Sequence, residues 1–187
     1  MFHYADRIAY MQDTADAVRV LLESMPGPGV ISFGGGAPAR DALPVETIHK
    51  LATEVLARDT RGVEALQYGK PMGLPEVRQA AIDHLLKRRG LTEATIDNVI
   101  TVGGGMEGVY VISGALLNPG DVVLVETPTF VQSLETFELF GAECIGCPCE
   151  DDGIDVDILE DNIKKYNPKM IYIIPTFQNP SGRTTSL

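Results

Sequence analysis

The sequence is poor in three features, and each scarcity excludes some classes of function. No run approaches the roughly 20 consecutive apolar residues of a transmembrane helix, which argues against a membrane-spanning protein. It has only three cysteines, so it lacks the even-numbered disulfide framework of a small secreted domain. Basic residues are few: the chain has 15 Lys and Arg but 26 Asp and Glu. The resulting net charge of −11 disfavours binding to nucleic acids and anionic lipids.

The composition is that of a compact globular protein. Of the 187 residues, 44% are hydrophobic and 22% are charged, which is close to the averages of folded domains and unlike disordered or coiled-coil sequences. Asp6, Asp13 and Asp16 interrupt the apolar stretch that a secretory signal needs near the N-terminus. We therefore expect a cytoplasmic protein without nucleic-acid or membrane partners.

The first half of the chain is predicted to form helices separated by segments rich in glycine and proline. Apolar residues recur every three or four positions over residues 5–25 and again after Pro44, which predicts two amphipathic helices. A short extended segment is predicted at 30–33, and a third helix over 74–89 that Gly90 ends. The inner face of the helix after Pro44 is predicted to carry Ile48, Leu51, Ala52, Val55 and Leu56.

From residue 96 onward, short apolar runs alternate with helical patterns. The predicted strands are 96–102, 122–126, 143–149 and 170–175. The predicted helices are 107–117, 130–140 and 155–166. Strands that alternate with helices form a mostly parallel sheet with helices on both faces, so the predicted fold class is α/β with three layers, α/β/α.

Three consecutive glycines at 103–105 lie between a predicted strand and a predicted helix. The backbone N–H groups of such a turn, together with the positive end of the helix dipole, can bind a phosphate. One specific alternative is a dinucleotide, because Gly103, Gly105 and Gly108 match G-x-G-x-x-G and Glu126 ends the following strand, where a ribose-binding acid belongs. This alternative, an NAD(P)-binding oxidoreductase, leaves Tyr68 without a role.

The cysteines lie close enough in sequence to suggest a metal site. However, successive side chains of a strand point to opposite faces, so Cys147 and Cys149 would share one face while Cys144 lies on the other. We therefore predict reduced thiols and no bound metal.

Six short motifs occur in an order that resembles the class I and II, fold-type I aminotransferases that use pyridoxal 5'-phosphate (PLP). They lie at 33–38, 66–69, 101–105, 118–121, 126–130 and 175–182. The last one, with the sequence Gln-Asn-Pro-Ser-Gly, is most similar to the aminoadipate and kynurenine aminotransferase branch. The resemblance implies an N-terminal arm over 1–45, the first half of a PLP-binding domain over 46–187, and a homodimer that acts on amino acids and 2-oxo acids.

The resemblance also implies how the chain would hold PLP. The amides of Gly103, Gly104 and Gly105 would bind its phosphate. Phe130 would stack on the pyridine ring, where an aromatic pair contributes about 0.5–1.5 kcal/mol beyond its buried area. Asn179 would donate a hydrogen bond to the phenolate oxygen.

Three further residues are implied to lie around the substrate and the dimer interface. Tyr68 would reach the same phosphate across the dimer interface. The backbone of Gly36 would approach the substrate carboxylate. Arg40 is predicted to bind a second substrate carboxylate, which suits the fork of a guanidinium group.

The chain departs from the family pattern in two respects. Gly104, Gly105 and Glu107 replace the hydroxyl, amide and alanine residues that are usual in the phosphate loop, and a carboxylate at 107 opposes a bound dianion. No lysine of this chain matches the family's Schiff-base lysine, so no catalytic residue is assigned and the 187-residue chain alone is expected to be inactive. A non-catalytic binding or dimerisation module derived from the same fold is the remaining alternative.

Overall fold

The structure is a computed structural model that describes residues 3–8, 16, 19–20, 29, 31, 38–58 and 61–186. The chain divides into two compact units: Pro26–Val102, which we call the helical unit, and Met1–Met25 with Gly103–Leu187, which we call the sheet unit. Most of the helix predicted at 5–25 and of the extended segment at 30–33 lies outside the described residues.

The helical unit contains α1 (Val45–Val55), α2 (Gly62–Ala65) and α3 (Pro75–Ala81). A π-helical turn and a 3-10 turn extend α3 as far as Arg89, where Gly90 ends the helix with a φ of +87°. The predicted helices after Pro44 and over 74–89 are therefore confirmed. No described helix, in either unit, is both long and apolar enough to cross a membrane.

The predicted inner face of α1 is not buried. The exposed fractions are 58% for Ile48, 49% for Leu51 and 52% for Val55, and Ala52 and Leu56 are exposed as well. The amphipathic pattern correctly predicts the helix, but the described part of the helical unit offers no surface that covers its apolar side. The spacing of apolar residues identifies those that share one face of a helix, but it does not identify the surface that packs against that face.

The prediction of a strand over 96–102 is wrong, because the segment begins as a 3-10 helix at Ile96–Asn98. The backbone N–H and the hydroxyl of Thr95 both donate to the side-chain oxygen of Asn98, at 2.9 Å each. The Arg78 guanidinium donates to the carbonyl of Ile96 at 2.8 Å. Side chains thus satisfy the backbone groups that a strand would pair with a neighbour.

The sheet unit alternates helices and strands as predicted. Its elements are α4 (Gly105–Leu116), β1 (Val122–Thr127), α5 (Val131–Leu139), β2 (Glu143–Glu150), β3 (Gly153–Ile154), α6 (Val156–Tyr166) and β4 (Met170–Tyr172). The strand order is β3-β2-β1-β4, with β1 parallel to both β2 and β4. The short β3 pairs antiparallel with β2. The predicted α/β class and the mostly parallel sheet are confirmed.

The core of the sheet unit lies around β1. Val123 and Leu124 are fully buried on opposite faces of this central strand, as its continuous apolar run predicts. Phe137 of α5 is also fully buried, and its ring meets the ring of Tyr172 edge-on at a centroid distance of 5.4 Å. This packing fixes β1 and β4 side by side, and their carboxyl ends lead into the candidate site.

Candidate functional site

The helix α4, which directly precedes the central strand β1, begins at the last of the glycines at 103–105. A tight turn joins α4 to β1, in which the Asp121 N–H donates to the Asn118 carbonyl at 3.0 Å and the Asn118 N–H donates to the Asp121 carboxylate at 2.8 Å. The helix of 12 residues is about 18 Å long, close to the span of about 20 Å of the six residues of β1, and its Val109 packs against the core that contains Val123 of β1. Ligands of parallel sheets bind beyond the carboxyl ends of the strands.

The glycines at 103–105 leave open space in front of α4. Gly104 precedes the first helical residue with a φ of +155°, which side-chain-bearing residues rarely adopt. A Cβ added to Gly104 or Gly105 would have no atom of the described structure within 4 Å. The Gly103 N–H, in contrast, donates to the carboxylate of Glu107 one turn into the helix. One of the three amides predicted to bind phosphate is therefore already paired with a carboxylate of the chain itself.

Phe130 follows the carboxyl end of β1 and immediately precedes α5. Its carbonyl accepts a hydrogen bond from the Ser133 N–H at 3.1 Å, and the residue is half-buried. The neighbouring Thr129 hydroxyl is buried and has no hydrogen-bond partner among the described residues. An aromatic ring and an unpartnered polar atom therefore lie together beyond β1.

Asn179 lies in the loop that follows β4, and it is exposed. The preceding residue, Gln178, is buried with an exposed fraction of 4%. Its side-chain amide donates to the carbonyl of Pro128 at 2.7 Å, and its side-chain oxygen accepts from the Ser181 N–H at 2.9 Å. Gln178 thus joins the loop of Asn179 to the segment that carries Phe130.

Glu126 does not have the surroundings of a ribose-binding acid. It is buried with an exposed fraction of 3%, and its carboxylate accepts hydrogen bonds from the Ile174 N–H at 2.9 Å and the Gln178 side-chain amide at 3.3 Å. The carboxylate therefore faces the protein interior, which removes the acid that the dinucleotide alternative required. No role for Gln178 was predicted, and its place inside the 175–182 motif was the only signal in the sequence.

The remaining predicted site residues lie outside the sheet unit. Tyr68 and Arg40 are exposed residues of the helical unit, Tyr68 fully so at 101%. Gly36 lies outside the described residues. The roles of these three residues stay predictions.

The three cysteines are free thiols on β2. Cys147 is buried, and the side-chain amide of Asn162 donates to its sulfur at 3.3 Å, while Cys144 and Cys149 are half-buried. In the part of the chain that the structure describes, no three His, Cys, Asp or Glu side chains are grouped so that they could hold a metal ion.

Comparisons with known proteins identify the family. Residues 28–187 match the family "Aminotransferase class I and II". Aromatic-amino-acid aminotransferase 1 of Thermococcus litoralis is 34% identical over 175 residues, which cover 91% of this chain and 41% of that protein. The chain also resembles the crystal structure of a multiple substrate aminotransferase from Thermococcus profundus, with a TM-score of 0.84 and 34% identity over 98% of this chain and 45% of that one.

A third relative is an alpha-aminoadipate aminotransferase from Thermus thermophilus, solved in complex with N-(5'-phosphopyridoxyl)-L-leucine. The TM-score is 0.78 at 28% identity, over 98% of this chain and 43% of that one. The chain thus spans less than half the length of these relatives. Proteins named for aminoadipate and kynurenine are among the matches. The family match, the shared fold and the ordered motifs together establish that this chain belongs to the class I and II aminotransferases.

Proposed function

We propose that this chain contributes part of the cofactor site of a PLP-dependent aminotransferase, which transfers an amino group from an amino acid to a 2-oxo acid. The observation that supports the proposal is the link between the segments of Phe130 and Asn179, because the Gln178 side-chain amide donates to the Pro128 carbonyl at 2.7 Å beyond the neighbouring parallel strands β1 and β4. The glycine turn, Phe130 and Asn179 come from different parts of the sequence, and the last two follow the paired strands β1 and β4.

The residues of the candidate site fit the parts of PLP. The open turn at Gly104 and Gly105 leaves room for a phosphate against the N-terminus of α4. Phe130 offers a ring for the pyridine face, and the exposed amide of Asn179 offers a donor for the phenolate oxygen. When bound, PLP supplies an electron sink for the negative charge that develops on the amino acid.

The substrate contacts belong to the same proposal. The backbone of Gly36 would approach the substrate's α-carboxylate, and the exposed guanidinium of Arg40 would bind a second carboxylate. Relatives named for aromatic amino acids and for alpha-aminoadipate support an amino acid with a large or acidic side chain. In a cytoplasmic homodimer, Tyr68 would contact the partner subunit's phosphate, which its full exposure allows.

Glu107 is the residue that tunes phosphate binding in this proposal. Its carboxylate accepts the Gly103 N–H, which is a donor that the phosphate also needs. A bound phosphate must displace this carboxylate and share the first turn of α4 with its negative charge. Glu107 therefore weakens phosphate binding at this turn.

The test is titration of the chain with pyridoxamine 5'-phosphate, which has no aldehyde and forms no adducts with surface lysines. We expect Gly104→Asp to weaken its affinity by about tenfold or more, because the new carboxylate occupies the space of the phosphate. Gly104→Ala is the matched control that changes the backbone preference without the charge. Glu107→Gln is expected to tighten binding by about fivefold, because it removes a like charge from the helix N-terminus.

Two results would contradict the proposal. The first is an affinity for pyridoxamine 5'-phosphate that neither Gly104→Asp nor Phe130→Ala changes. The second is binding of NADH without binding of pyridoxamine 5'-phosphate, which would favour the dinucleotide alternative. Glu143→Gln, an exposed glutamate at the opposite end of β2, serves as the control for Glu107→Gln.

A further inference from the structure

Glu126 and Gln178 are buried polar residues to which the proposed function assigns no contact with cofactor or substrate. Their exposed fractions are only 3% and 4%. Burying a carboxylate and an amide costs free energy unless hydrogen bonds replace those lost from water. The hydrogen bonds that these two side chains form therefore indicate what the pair holds in place.

The Glu126 carboxylate connects the end of β1 to the segment after β4. One of its oxygens accepts both the Ile174 N–H, at 2.9 Å, and the side-chain amide of Gln178, at 3.3 Å. The two contacts span 48 and 52 residues of sequence. Glu126 thus fixes the start and the middle of the loop that carries Asn179.

Gln178 uses both ends of its side-chain amide. The nitrogen donates to the Pro128 carbonyl at 2.7 Å as well as to Glu126, and the oxygen accepts the Ser181 N–H at 2.9 Å. Its backbone is fixed too, because its N–H donates to the Arg183 carbonyl at 2.7 Å. The residue beside Asn179 is therefore held through its side chain and its main chain.

The loop also holds an unfavourable backbone conformation. Phe177, directly before Gln178, has a φ of +51°, which bulky residues rarely adopt, and its side chain is 78% exposed. Such a conformation persists where the surrounding contacts over-determine it. The buried hydrogen bonds of Gln178 provide those contacts, so they define the path of the chain into Asn179.

We propose that Glu126 and Gln178 are positioning residues that orient Asn179 toward the phenolic oxygen of the cofactor. This inference rests on the proposed function. A hydrogen-bond donor in a binding site must be held to within about 0.5 Å of its productive position, and residues behind it provide that precision. Asn179 is exposed and follows a buried, fully bonded residue, which is the arrangement that such positioning needs.

The experiment compares Glu126→Leu, which removes the buried acceptor, with Glu126→Gln, which keeps an acceptor of the same shape. Affinity is measured for pyridoxamine 5'-phosphate and for an analogue that lacks the ring hydroxyl. We expect Glu126→Leu to weaken binding of the complete ligand about tenfold, the upper range for one hydrogen bond, and Glu126→Gln to change it less than about twofold. Neither variant should change binding of the analogue by more than about twofold.

A double-mutant cycle separates positioning from general stability. In an Asn179→Ala background, Glu126→Leu should add less than about twofold to the loss, because the group it orients is gone. Equal losses for the analogue, or an undiminished loss in the Asn179→Ala background, would overturn the inference. If Glu126→Leu does not fold, Gln178→Met removes the same hydrogen bond from the loop side and enters the same cycle. Glu143→Leu is the matched control, because it makes the same Glu→Leu change at an exposed position of β2.

A cofactor-free readout keeps this inference distinct from the proposed function. The side-chain amide of Asn179 is followed by nitrogen-15 NMR in the unliganded chain. Glu126→Leu should shift or broaden its signals, whereas Glu126→Gln should leave them in place. Unchanged signals in Glu126→Leu would overturn the positioning role. Failure of the unmodified chain to bind pyridoxamine 5'-phosphate would instead contradict the proposed function.

Discussion

Cys144 illustrates how the position of one residue sets its chemistry. It lies on β2 beside Val123 of β1 and packs against the core of the sheet unit. Burial, and secondarily the negative charge of Glu138, raises the pKa of its thiol to about 11. The thiolate is the nucleophilic form, so the residue is protected from alkylation and oxidation at neutral pH.

We expect Cys144 to react slowly with iodoacetamide in the folded chain. At pH 8, a pKa of about 11 instead of 9.0 lowers the thiolate fraction about a hundredfold, and mass mapping of labelled peptides measures the difference. The same chain in denaturant is the control. Because the folded pKa is the higher one, this thiol also makes stability fall as the pH rises from about 9 to about 11. Equal labelling of Cys144 in the folded and denatured chains would contradict the prediction.

At the scale of elements, β1 and α5 hold the sheet unit together. The buried ring of Phe137 lies against Tyr172 of β4, and the Tyr172 hydroxyl and the Ser133 hydroxyl are 2.9 Å apart in a hydrogen bond. Helix and edge strand are therefore joined by both apolar and polar contacts. The candidate site depends on this packing, because β4 leads directly to Gln178 and Asn179.

Phe137→Ala is expected to destabilise the sheet unit by about 3–5 kcal/mol, the usual cost of removing a buried aromatic side chain. Urea unfolding followed by circular dichroism measures the change. The matched control is Phe177→Ala, because Phe177 is 78% exposed and its removal should change stability by less than about 0.5 kcal/mol. Comparable losses for the two variants would show that the core is not centred on Phe137.

At the scale of the whole molecule, the chain combines strong acidity with exposed apolar surface. Its net charge of −11 opposes non-specific association. Against this, α1 presents Ile48, Leu51 and Val55 on one face, each about half exposed. Contiguous apolar patches of this kind mark interaction surfaces.

We predict that the chain self-associates, partly through this face of α1. Leu51→Lys should shift the weight-average mass measured by light scattering toward the monomer, because it places a charge in the apolar patch. Thr53→Lys, on the side of the same helix opposite this face, adds the same charge at an exposed position and should have no such effect. A compact monomer at high concentration of the unmodified chain would contradict the prediction.

Local sequence patterns determined much of the secondary structure of this protein and indicated its family. The alternation of apolar runs and helical periods from residue 107 onward correctly predicted three helices and the three longer strands of the sheet unit, because each element's period and its end signals are written within a few adjacent residues. The turn at 118–121 and the glycines at 103–105 were recognisable for the same reason. The two-residue strand β3 was not predicted, and β4 ends at Tyr172 instead of residue 175. The order of the motifs was sufficient to indicate the family.

Tertiary structure decided the features that depend on partners distant in sequence. Arg78 donates to the carbonyl of Ile96, 18 residues away, in a segment whose apolar residues predicted a strand. Glu126 pairs with an amide 52 residues away instead of facing a ligand. Burial of the apolar face of α1 depends on a covering surface, which no periodicity encodes. A side chain's hydrogen-bond partner is set by the path of the whole chain, and local sequence cannot specify it.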